Sequence, residues 1–272
     1  SKAGITAAIT DKAYEDAGAK IVKTPVEALS QADIVLKVQK PIVPESKGKN
    51  ELNEVALMKD GAVLICLMEP YASHKLLETL ASKRITVFSM ELLPRITRAQ
   101  TMDTLSSQSN LAGYKAVLEA ANTFGRAFPM MMTAAGTVPP AKCLVMGAGV
   151  AGLQAIATAR RLGAVVSASD VRPAAKENVE SLGASFVAVQ DEEFKQAETA
   201  GGYAKEMSDA YKAKQSELIA STVAKQDIVI CTALIPGRPA PVLVTEDMIK
   251  TMKPGSVLVD LAVEQGGNCP LS

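Results

Sequence analysis

The stretch Cys143–Asp170, CLVMGAGVAGLQAIATARRLGAVVSASD, decides the fold of this chain. It begins with an apolar run that predicts a buried β-strand, and Gly147, Gly149 and Gly152 then form a G-x-G-x-x-G pattern. An amphipathic helical segment follows, and a second apolar strand ends at Asp170, close to the spacing of about 20 residues expected after the glycines. This order predicts a dinucleotide-binding βαβ unit.

Each glycine in this pattern has a physical task. Gly147 makes the tight turn, Gly149 lets the backbone approach a pyrophosphate, and Gly152 lets helix and strand pack closely. The helix that begins after Gly149 offers free N–H groups and the positive end of its dipole to phosphates. The predicted contacts to the coenzyme here are Gly147, Gly149, Val150, Ala151 and Gly152.

The end of the second strand, Asp170–Arg172, is predicted to select between coenzymes. Asp170 can accept both hydroxyls of the adenosine ribose, and its charge repels a 2′-phosphate, so NAD(H) is favoured over NADP(H). Arg172 weakens this preference, because an arginine can also bind a phosphate. Val171 lies between them and belongs to the same predicted site. The alternative is a structural Rossmann turn that binds no nucleotide.

Length and composition are those of an ordinary globular protein. The chain has 272 residues, enough for one large or two ordinary domains, and 48% of them are hydrophobic. Lys plus Arg equals Asp plus Glu at 29 each, so charge does not indicate a nucleic-acid partner. No apolar run reaches the roughly 20 residues of a spanning helix, and no signal peptide is evident, so we expect a soluble chain.

The reactive side chains are few. The four cysteines form no CxxC pair, which predicts reduced thiols without a disulfide framework or a metal site. Cys143 and Cys231 lie in strand-like runs, where cysteine is usually a small buried hydrophobe. The single histidine, His74, lies in a helical segment among charged residues and is expected to face solvent.

Helical and strand-like segments alternate along the N-terminal half of the chain, as in a parallel sheet covered on both faces. The predicted helices are the segment DKAYEDAGA, a helix near Pro25–Gln31 and one at Ser73–Ser82. The predicted strands are Lys20–Val22, Asp33–Val38, Ala62–Met68 and Ile85–Glu91.

A longer helix is predicted from Ser106, with an apolar stripe at spacings of three and four formed by Leu111, Tyr114, Leu118, Ala121 and Phe124. TAAGTVPPAK is then a loop, Met130–Met132 is flexible packing material, and a second series of strands starts at Cys143. We therefore expect an α/β chain of two doubly wound, Rossmann-like domains with parallel sheets, linked by a long helix, with a cleft between them. Residues 1–105 form the first domain, and 106–272 contain the helix and the NAD-binding domain. The first domain lacks a clear opening strand and a C-terminal return, which is typical of a fragment.

Six motifs together resemble one family. They are RITRAQTMDTLSSQSNLAGYKAV, TAAGTVPPAK, the G-x-G-x-x-G segment, GGYAKEMS, TALIPGRPAP and GSVLVDLAVEQGGN. In this order, over essentially the whole chain, they are similar to the NAD(H)-binding domain, of the alpha-subunit type, of proton-translocating nicotinamide nucleotide transhydrogenases.

The resemblance implies hydride transfer from NADH to NADP⁺ coupled to proton translocation. NAD(H) would bind this chain, and NADP(H) would bind a separate partner domain. It further implies a homodimer attached to a membrane-spanning proton-channel domain, peripheral to the cytoplasmic side of the bacterial inner membrane, or to the matrix side in mitochondria.

The resemblance also assigns the polar stretch after Pro94 to the nicotinamide end of the coenzyme. It implies that Arg95, Gln100 and Asp103 serve hydride transfer and that Ser106 completes this shell, while Ile96, Thr97 and Arg98 lie on the same loop. Such side chains suit a carboxamide and a ribose, which need both donors and acceptors, and Arg95 can be oriented by Asp103. The alternative is an N-capping cluster with Ser106 or Ser107 as the cap.

Two further segments complete the predicted site. In the family a mobile lid lies at the position of Ala200–Met207, so the resemblance places Gly202 and Tyr203 on it, whereas an ordinary helix-entry loop is the alternative. In TALIPGRPAP, Ala233 and Leu234 are assigned to the coenzyme. The residues Glu264–Asn268 lie close to the expected site without an assigned role.

Two other functions stay open. Alanine dehydrogenases resemble this chain, but their catalytic lysine and histidine positions are occupied here by Gln39 and Glu69, and Lys37 lies two residues away. Amino-acid oxidation needs acid/base groups, whereas transfer between two nicotinamide rings moves no proton on oxygen or nitrogen. The third possibility is a non-catalytic NAD-sensing module.

Overall fold

The chain divides into two units, Ser1–Leu105 and Ser106–Ser272. The structure is a computed structural model that describes residues 1–44, 52–94, 96–195, 207–235 and 237–272. Each unit has a parallel sheet and a buried apolar core of its own. Among the described residues, no helix combines the length and apolar character that crossing a membrane requires.

The first unit is built on three parallel strands, β1 (Ile34–Gln39), β2 (Val63–Leu67) and β3 (Thr86–Ser89). They lie in the order β1-β2-β3. The helices are α1 (Asp11–Asp16), α2 (Pro25–Leu29), α3 (Glu54–Leu57) and α4 (His74–Ser82), and the 3-10 turns are Ile5–Ala7, Met90–Leu92 and Thr97–Met102. All three strands end at one edge of the sheet, which brings the residues after Gln39, Leu67 and Ser89 to that edge.

Two expectations for this unit are wrong. Residues 20–22, predicted as a strand, form none, and the carbonyl oxygen of Val22 instead accepts a hydrogen bond from the amino terminus of Ser1 at 2.7 Å. Helices cover only one face of the sheet in the described chain. In β1, Val35 is buried, whereas Leu36 and Val38 are 73% and 80% exposed on the other face.

The second unit contains an antiparallel hairpin where the sequence predicted a loop. Its strands are β4 (Met131–Thr133) and β5 (Gly136–Val138), with Thr133 paired to Gly136. Met132 is 86% exposed, so the expectation that these methionines serve as packing material is wrong.

The main sheet of the second unit has five parallel strands. They are β6 (Lys142–Met146), β7 (Val165–Ser169), β8 (Ser185–Phe186), β9 (Ile228–Cys231) and β10 (Val257–Asp260), in the order β10-β9-β6-β7-β8. The helices are α5 (Thr104–Thr123), α6 (Val150–Arg161), α7 (Ala175–Ser181), α8 (Glu192–Lys195), α9 (Asp209–Val223) and α10 (Glu246–Lys250), and a 3-10 turn spans Val263–Gln265. The winding direction reverses between β6 and β9, as in a Rossmann fold, where ligands bind at that switch point.

The long helix α5 packs through small residues rather than through the predicted stripe. Its buried residues are Gly113, Ala116, Val117 and Ala120, whereas Leu111 and Tyr114 are exposed. A Cβ atom at Gly113 would lie 2.0 Å from the carbonyl oxygen of Ala151, so only glycine permits this approach to α6. The predicted stripe is therefore wrong for its first two members, because the contact depends on the absence of side-chain volume.

Candidate coenzyme site

The carboxyl ends of β6, β7 and β9 carry the residues that the glycine pattern predicted to bind a coenzyme. They lead directly into Gly147, Asp170 and Thr232, because the three strands are parallel and adjacent. Gly147 has φ +101°, a left-handed conformation that favours glycine, and its N–H donates to the carbonyl oxygen of Ser169 at 2.8 Å. The predicted tight turn is thus present at the switch point of the sheet.

Gly152 and Gly149 have different roles within this turn. A Cβ atom on Gly152 would lie 1.8 Å from the carbonyl oxygen of Gly147, so packing alone requires glycine there. At Gly149 an added Cβ would meet no described atom within 4 Å, although this residue directly precedes α6. Packing within the chain does not explain Gly149, whereas the close approach of a pyrophosphate does, so the turn fits a dinucleotide.

The N-terminus of α6 provides the donors that such a ligand needs. Among the described residues, no side chain caps this helix at Gly149. Val150 is exposed and Ala151 is half-buried, so the first turn is open to solvent. A helix N-terminus of this kind binds anions through its unsatisfied N–H groups and its dipole.

Asp170 is held by four hydrogen bonds. Its Oδ1 accepts from the N–H and Nε of Arg172 at 2.8 and 2.9 Å. Its Oδ2 accepts from the N–H of Ala148 at 2.7 Å and from Nη2 of Arg172 at 2.9 Å. Burial opposes ionisation, but these bonds and the charge of Arg172 outweigh it and hold the pKa of Asp170 below its usual value. The carboxylate is therefore charged at neutral pH, as discrimination against a 2′-phosphate requires.

Asn268, which the sequence left without a role, clamps the predicted contact residue Ala233. Its side chain is fully buried, its Oδ1 accepts from the N–H of Ala233 at 3.0 Å, and its Nδ2 donates to the carbonyl oxygens of Ala233 and Pro241 at 2.9 and 2.8 Å. Asp260 in turn accepts from the N–H of Asn268 at 2.6 Å. Ala233 lies against Gly147, so this clamp fixes one wall of the turn, while Leu234 beside it is half exposed.

The segment assigned to the nicotinamide end lies in the first unit. Its 3-10 turn Thr97–Met102 carries Thr97, Arg98 and Gln100, all exposed, and Asp103 follows it. A pocket of about 210 Å³ is lined by Leu93, Pro94, Ile96, Ala99, Gln100 and Asp103. The turn closes with the N–H of Asp103 donating to the carbonyl oxygen of Gln100 at 3.2 Å. The structure thus brings Ile96, Gln100 and Asp103 together around one small pocket, while Arg95 lies outside the described residues.

The helix bounds decide between the two interpretations of the serines. α5 begins at Thr104, two residues before the predicted start, so Ser106 and Ser107 lie within its first turn. Neither precedes the helix, and the alternative in which one of them is the N-cap is therefore wrong. The predicted lid residues Gly202 and Tyr203 lie outside the described residues.

The positions that correspond to the catalytic residues of alanine dehydrogenases are occupied by paired or exposed groups. Nζ of Lys37 lies 2.6 Å from both carboxylate oxygens of Glu54, an acid that is itself buried. Glu69 pairs with Lys40 at 2.5 Å, and Gln39 is exposed. None of these groups is arranged as a lysine and histidine pair for proton transfer.

The remaining candidates for acid/base or nucleophilic chemistry are inert. All four cysteines are buried, as predicted for Cys143 and Cys231, and burial raises the pKa of Cys143 to about 12. Burial is also the main cause that raises the pKa of Cys66, to about 11. His74 is exposed at the start of α4, as predicted. Within the described ranges, no three His, Cys, Asp or Glu side chains are placed to hold a metal ion.

Comparison with known proteins gives consistent matches along the whole chain. Residues 1–112 match the alanine dehydrogenase/PNT N-terminal domain, and residues 116–272 match the alanine dehydrogenase/PNT C-terminal domain. The N-terminal of the split alpha-subunit chains of the NAD(P) transhydrogenase of Rhodospirillum rubrum is 62% identical over 270 residues, which are 99% of this chain and 69% of that protein.

A solved structure and a more distant relative show the range of the similarity. The crystal structure of transhydrogenase from Sinorhizobium meliloti superposes with a TM-score of 0.86 at 56% identity, covering 100% of this chain and 70% of that one. The alanine dehydrogenase of Methanococcus maripaludis is 31% identical over 269 residues, 98% of this chain and 63% of that protein.

Proposed function

Since this chain belongs to the alanine dehydrogenase/PNT family and matches transhydrogenase alpha subunits far better than alanine dehydrogenases, we propose that it is the NAD(H)-binding component of a proton-translocating transhydrogenase. In this proposal it passes hydride between NAD(H), held at its own Rossmann turn, and NADP(H), held by a partner domain. The chain contains one dinucleotide fingerprint, so the second coenzyme requires that partner.

The observation that carries the proposal is the turn between β6 and α6. Gly147 and Gly152 are required by the backbone and by packing, but Gly149 faces open space beside an uncapped helix N-terminus in the described chain. A pyrophosphate is the ligand that needs all three features together. Beside it, the charged Asp170 supports NAD(H) rather than NADP(H).

The roles of the chain's own residues follow from their positions. Val150, Ala151 and Gly152 would hold the pyrophosphate through their N–H groups, and Asp170 would accept the adenosine ribose hydroxyls. Ala233 and Leu234 would line the same turn. Bound NADH supplies the hydride, and no acid or base is needed for its transfer to a second nicotinamide ring.

The nicotinamide end is assigned to Gln100 and Asp103, together with Arg95 and Ser106. The pocket of about 210 Å³ lined by Gln100 and Asp103 supports this assignment, because an amide and a carboxylate can match the donors and acceptors of a carboxamide. Their task is to orient the ring and exclude water, since transfer depends on close, aligned rings.

The wider assembly is also included in the proposal. We infer a homodimer that docks on a membrane-spanning proton-channel domain and on the NADP(H)-binding domain of the same complex. The transhydrogenase alpha subunits that this chain matches support partner subunits, since each is by name one subunit of a larger enzyme. The proposed location is the cytoplasmic side of a bacterial inner membrane, or the matrix side in mitochondria.

The experiment that tests this function mixes the purified chain with an NADP(H)-binding transhydrogenase component and follows hydride transfer from NADH to an oxidised NADP analogue. We expect transfer that requires both proteins, and no reduction of NAD by the chain with alanine. Alanine-dependent reduction would favour the amino-acid oxidoreductase, a result we do not expect because Lys37 is already paired with Glu54. NADH binding without transfer would favour the NAD-sensing module.

Coenzyme preference gives a second test. We expect calorimetry to show tight binding of NADH and weak binding of NADPH, because the carboxylate of Asp170 opposes a 2′-phosphate. In Asp170→Ala the difference should narrow by about tenfold, from weaker NADH and stronger NADPH binding, as a repulsive element is lost. Equal affinities of the unaltered chain for the two coenzymes would contradict the assignment of Asp170.

A further inference from the structure

We propose that Arg172 is a coenzyme-specificity residue that competes with the adenosine ribose for Asp170 and must release this carboxylate when NAD(H) binds. The inference rests on the function proposed above and adds a step to it. In this view the ligand-free site is closed by an internal ion pair whose geometry resembles that of the ribose contact.

The acceptor capacity of a carboxylate limits what Asp170 can bind at once. An ionised aspartate offers about four lone-pair positions for hydrogen bonds. Asp170 uses four: two bonds reach Oδ1 from the main chain and the Nε of Arg172, and two reach Oδ2 from Ala148 and from Nη2 of Arg172. Two ribose hydroxyls therefore find no acceptor position on Asp170 until two of these bonds are given up.

The burial of the two partners indicates which bonds break. The side chain of Asp170 is 7% exposed, whereas that of Arg172 is 34% exposed. The N–H groups of Ala148 and Arg172 belong to the turn and the strand end, and releasing them would leave backbone donors unpaired. The guanidinium can turn into solvent, so its two bonds are the ones that the ribose hydroxyls replace.

The exchange affects the two coenzymes in opposite ways. For NADH, the guanidinium is only a competitor, because the hydroxyls take over its bonds and no new anion is present. For NADPH, the released guanidinium lies two residues from Asp170 and can pair with the 2′-phosphate, for which arginine has a suitable bidentate geometry. Arg172 thus lowers the preference for NAD(H) that Asp170 creates.

The test compares Arg172→Met with the unaltered chain by calorimetric titration of NADH and of NADPH. Methionine keeps an aliphatic stem but removes the donors and the charge. We expect NADH to bind about fivefold more tightly, since two charge-assisted bonds no longer oppose it and exposure of Arg172 limits their strength. NADPH should bind more weakly, so that the ratio of the two dissociation constants rises by about tenfold or more.

Arg161→Met is the matched control, because Arg161 is an exposed arginine at the far end of α6 from the turn. It should leave both dissociation constants unchanged. Arg172→Lys serves if the methionine variant does not fold. It cannot form the two-nitrogen contact and should tighten NADH binding by a smaller factor while retaining NADPH binding.

The outcomes separate this inference from the function beneath it. If the unaltered chain binds NADH, and if the Arg172 variants bind it equally or more weakly, Arg172 does not compete for Asp170 and the inference is overturned alone. If the unaltered chain binds no NADH while folded, the proposed function fails and the inference falls with it.

Discussion

Gly152→Ala should destabilise the second unit by about 3 kcal/mol and reduce NADH affinity on the order of 100-fold. The added Cβ would lie 1.8 Å from the carbonyl oxygen of Gly147, a backbone atom that cannot turn away like a side chain. Forcing extra volume into such a contact typically costs about 1–3 kcal/mol, and more where backbone must shift. The shift displaces the turn from the N-terminus of α6, which lowers affinity by about 1.4 kcal/mol for each tenfold change. Chemical denaturation and calorimetry with NADH measure the two effects.

Two other glycines provide controls for this variant. Gly125→Ala adds a methyl group that meets no described atom within 4 Å, and it should change neither stability nor NADH affinity. Gly149→Ala also meets no described atom, so it should fold normally, yet its methyl group occupies the expected path of the pyrophosphate and should weaken NADH binding. If Gly152→Ala were as stable as the unaltered chain, the close contact to Gly147 would not be real.

Gln100→Asn should slow hydride transfer on the order of 100-fold while changing the dissociation constant of NADH by less than about threefold. Most of the binding energy is expected from the turn at Gly147–Gly152 and from Asp170, which this substitution does not touch. Shortening the side chain by one methylene moves its amide by about 1 Å, and a displacement of that size at a reacting centre can cost about 100-fold in rate. Single-turnover transfer to an oxidised NADP analogue on the partner component, beside an NADH titration, measures both quantities.

Thr101→Ser is the matched control for Gln100→Asn. Thr101 lies on the same 3-10 turn, is exposed as Gln100 is, and also loses one carbon, but it does not line the pocket at Gln100. Its rate and affinity should stay unchanged. A Gln100→Asn rate that equals that of the unaltered chain, or falls only in proportion to affinity, would exclude Gln100 from the nicotinamide shell.

The second sheet is the region of the fold that sequence predicts best. Its central strands are continuous apolar runs, since both faces are buried, and Leu144, Val145, Ile228 and Ile230 are all fully buried. The glycine pattern adds the position of the turn, and the turn identifies the switch point. The prediction therefore depends on short-range chemistry that the sequence contains explicitly.

The hairpin β4–β5 and the packing of α5 could not be predicted in this way. A two-residue hairpin turn is usually marked by Asn-Gly or a similar pair, but here Ala134 and Ala135 connect Thr133 to Gly136. In α5, the largest apolar residues suggested the buried face, whereas the observed face is set by how closely a neighbouring helix approaches. Both features depend on tertiary geometry that residue type alone does not encode.

The candidate site was predicted in its contacts but not in its supports. The glycines and Asp170 follow from a known spacing, and the structure places them together. The clamp from Asn268 to Ala233 joins residues 35 positions apart and needs the fold to be seen. The occupied state of Asp170 is equally invisible in sequence, because it depends on which way the Arg172 side chain turns.

The close approach of α5 to α6 has a consequence for how this chain can diverge over evolutionary time. The atom that a side chain at Gly113 would strike is the carbonyl oxygen of Ala151, which belongs to the main chain. No exchange of side chain at position 151 can therefore relieve the clash, and compensating pairs of substitutions are closed to this contact. Gly113 is constrained like a ligand-binding glycine although packing alone imposes the constraint, and homologues that share this helix pairing inherit the same restriction.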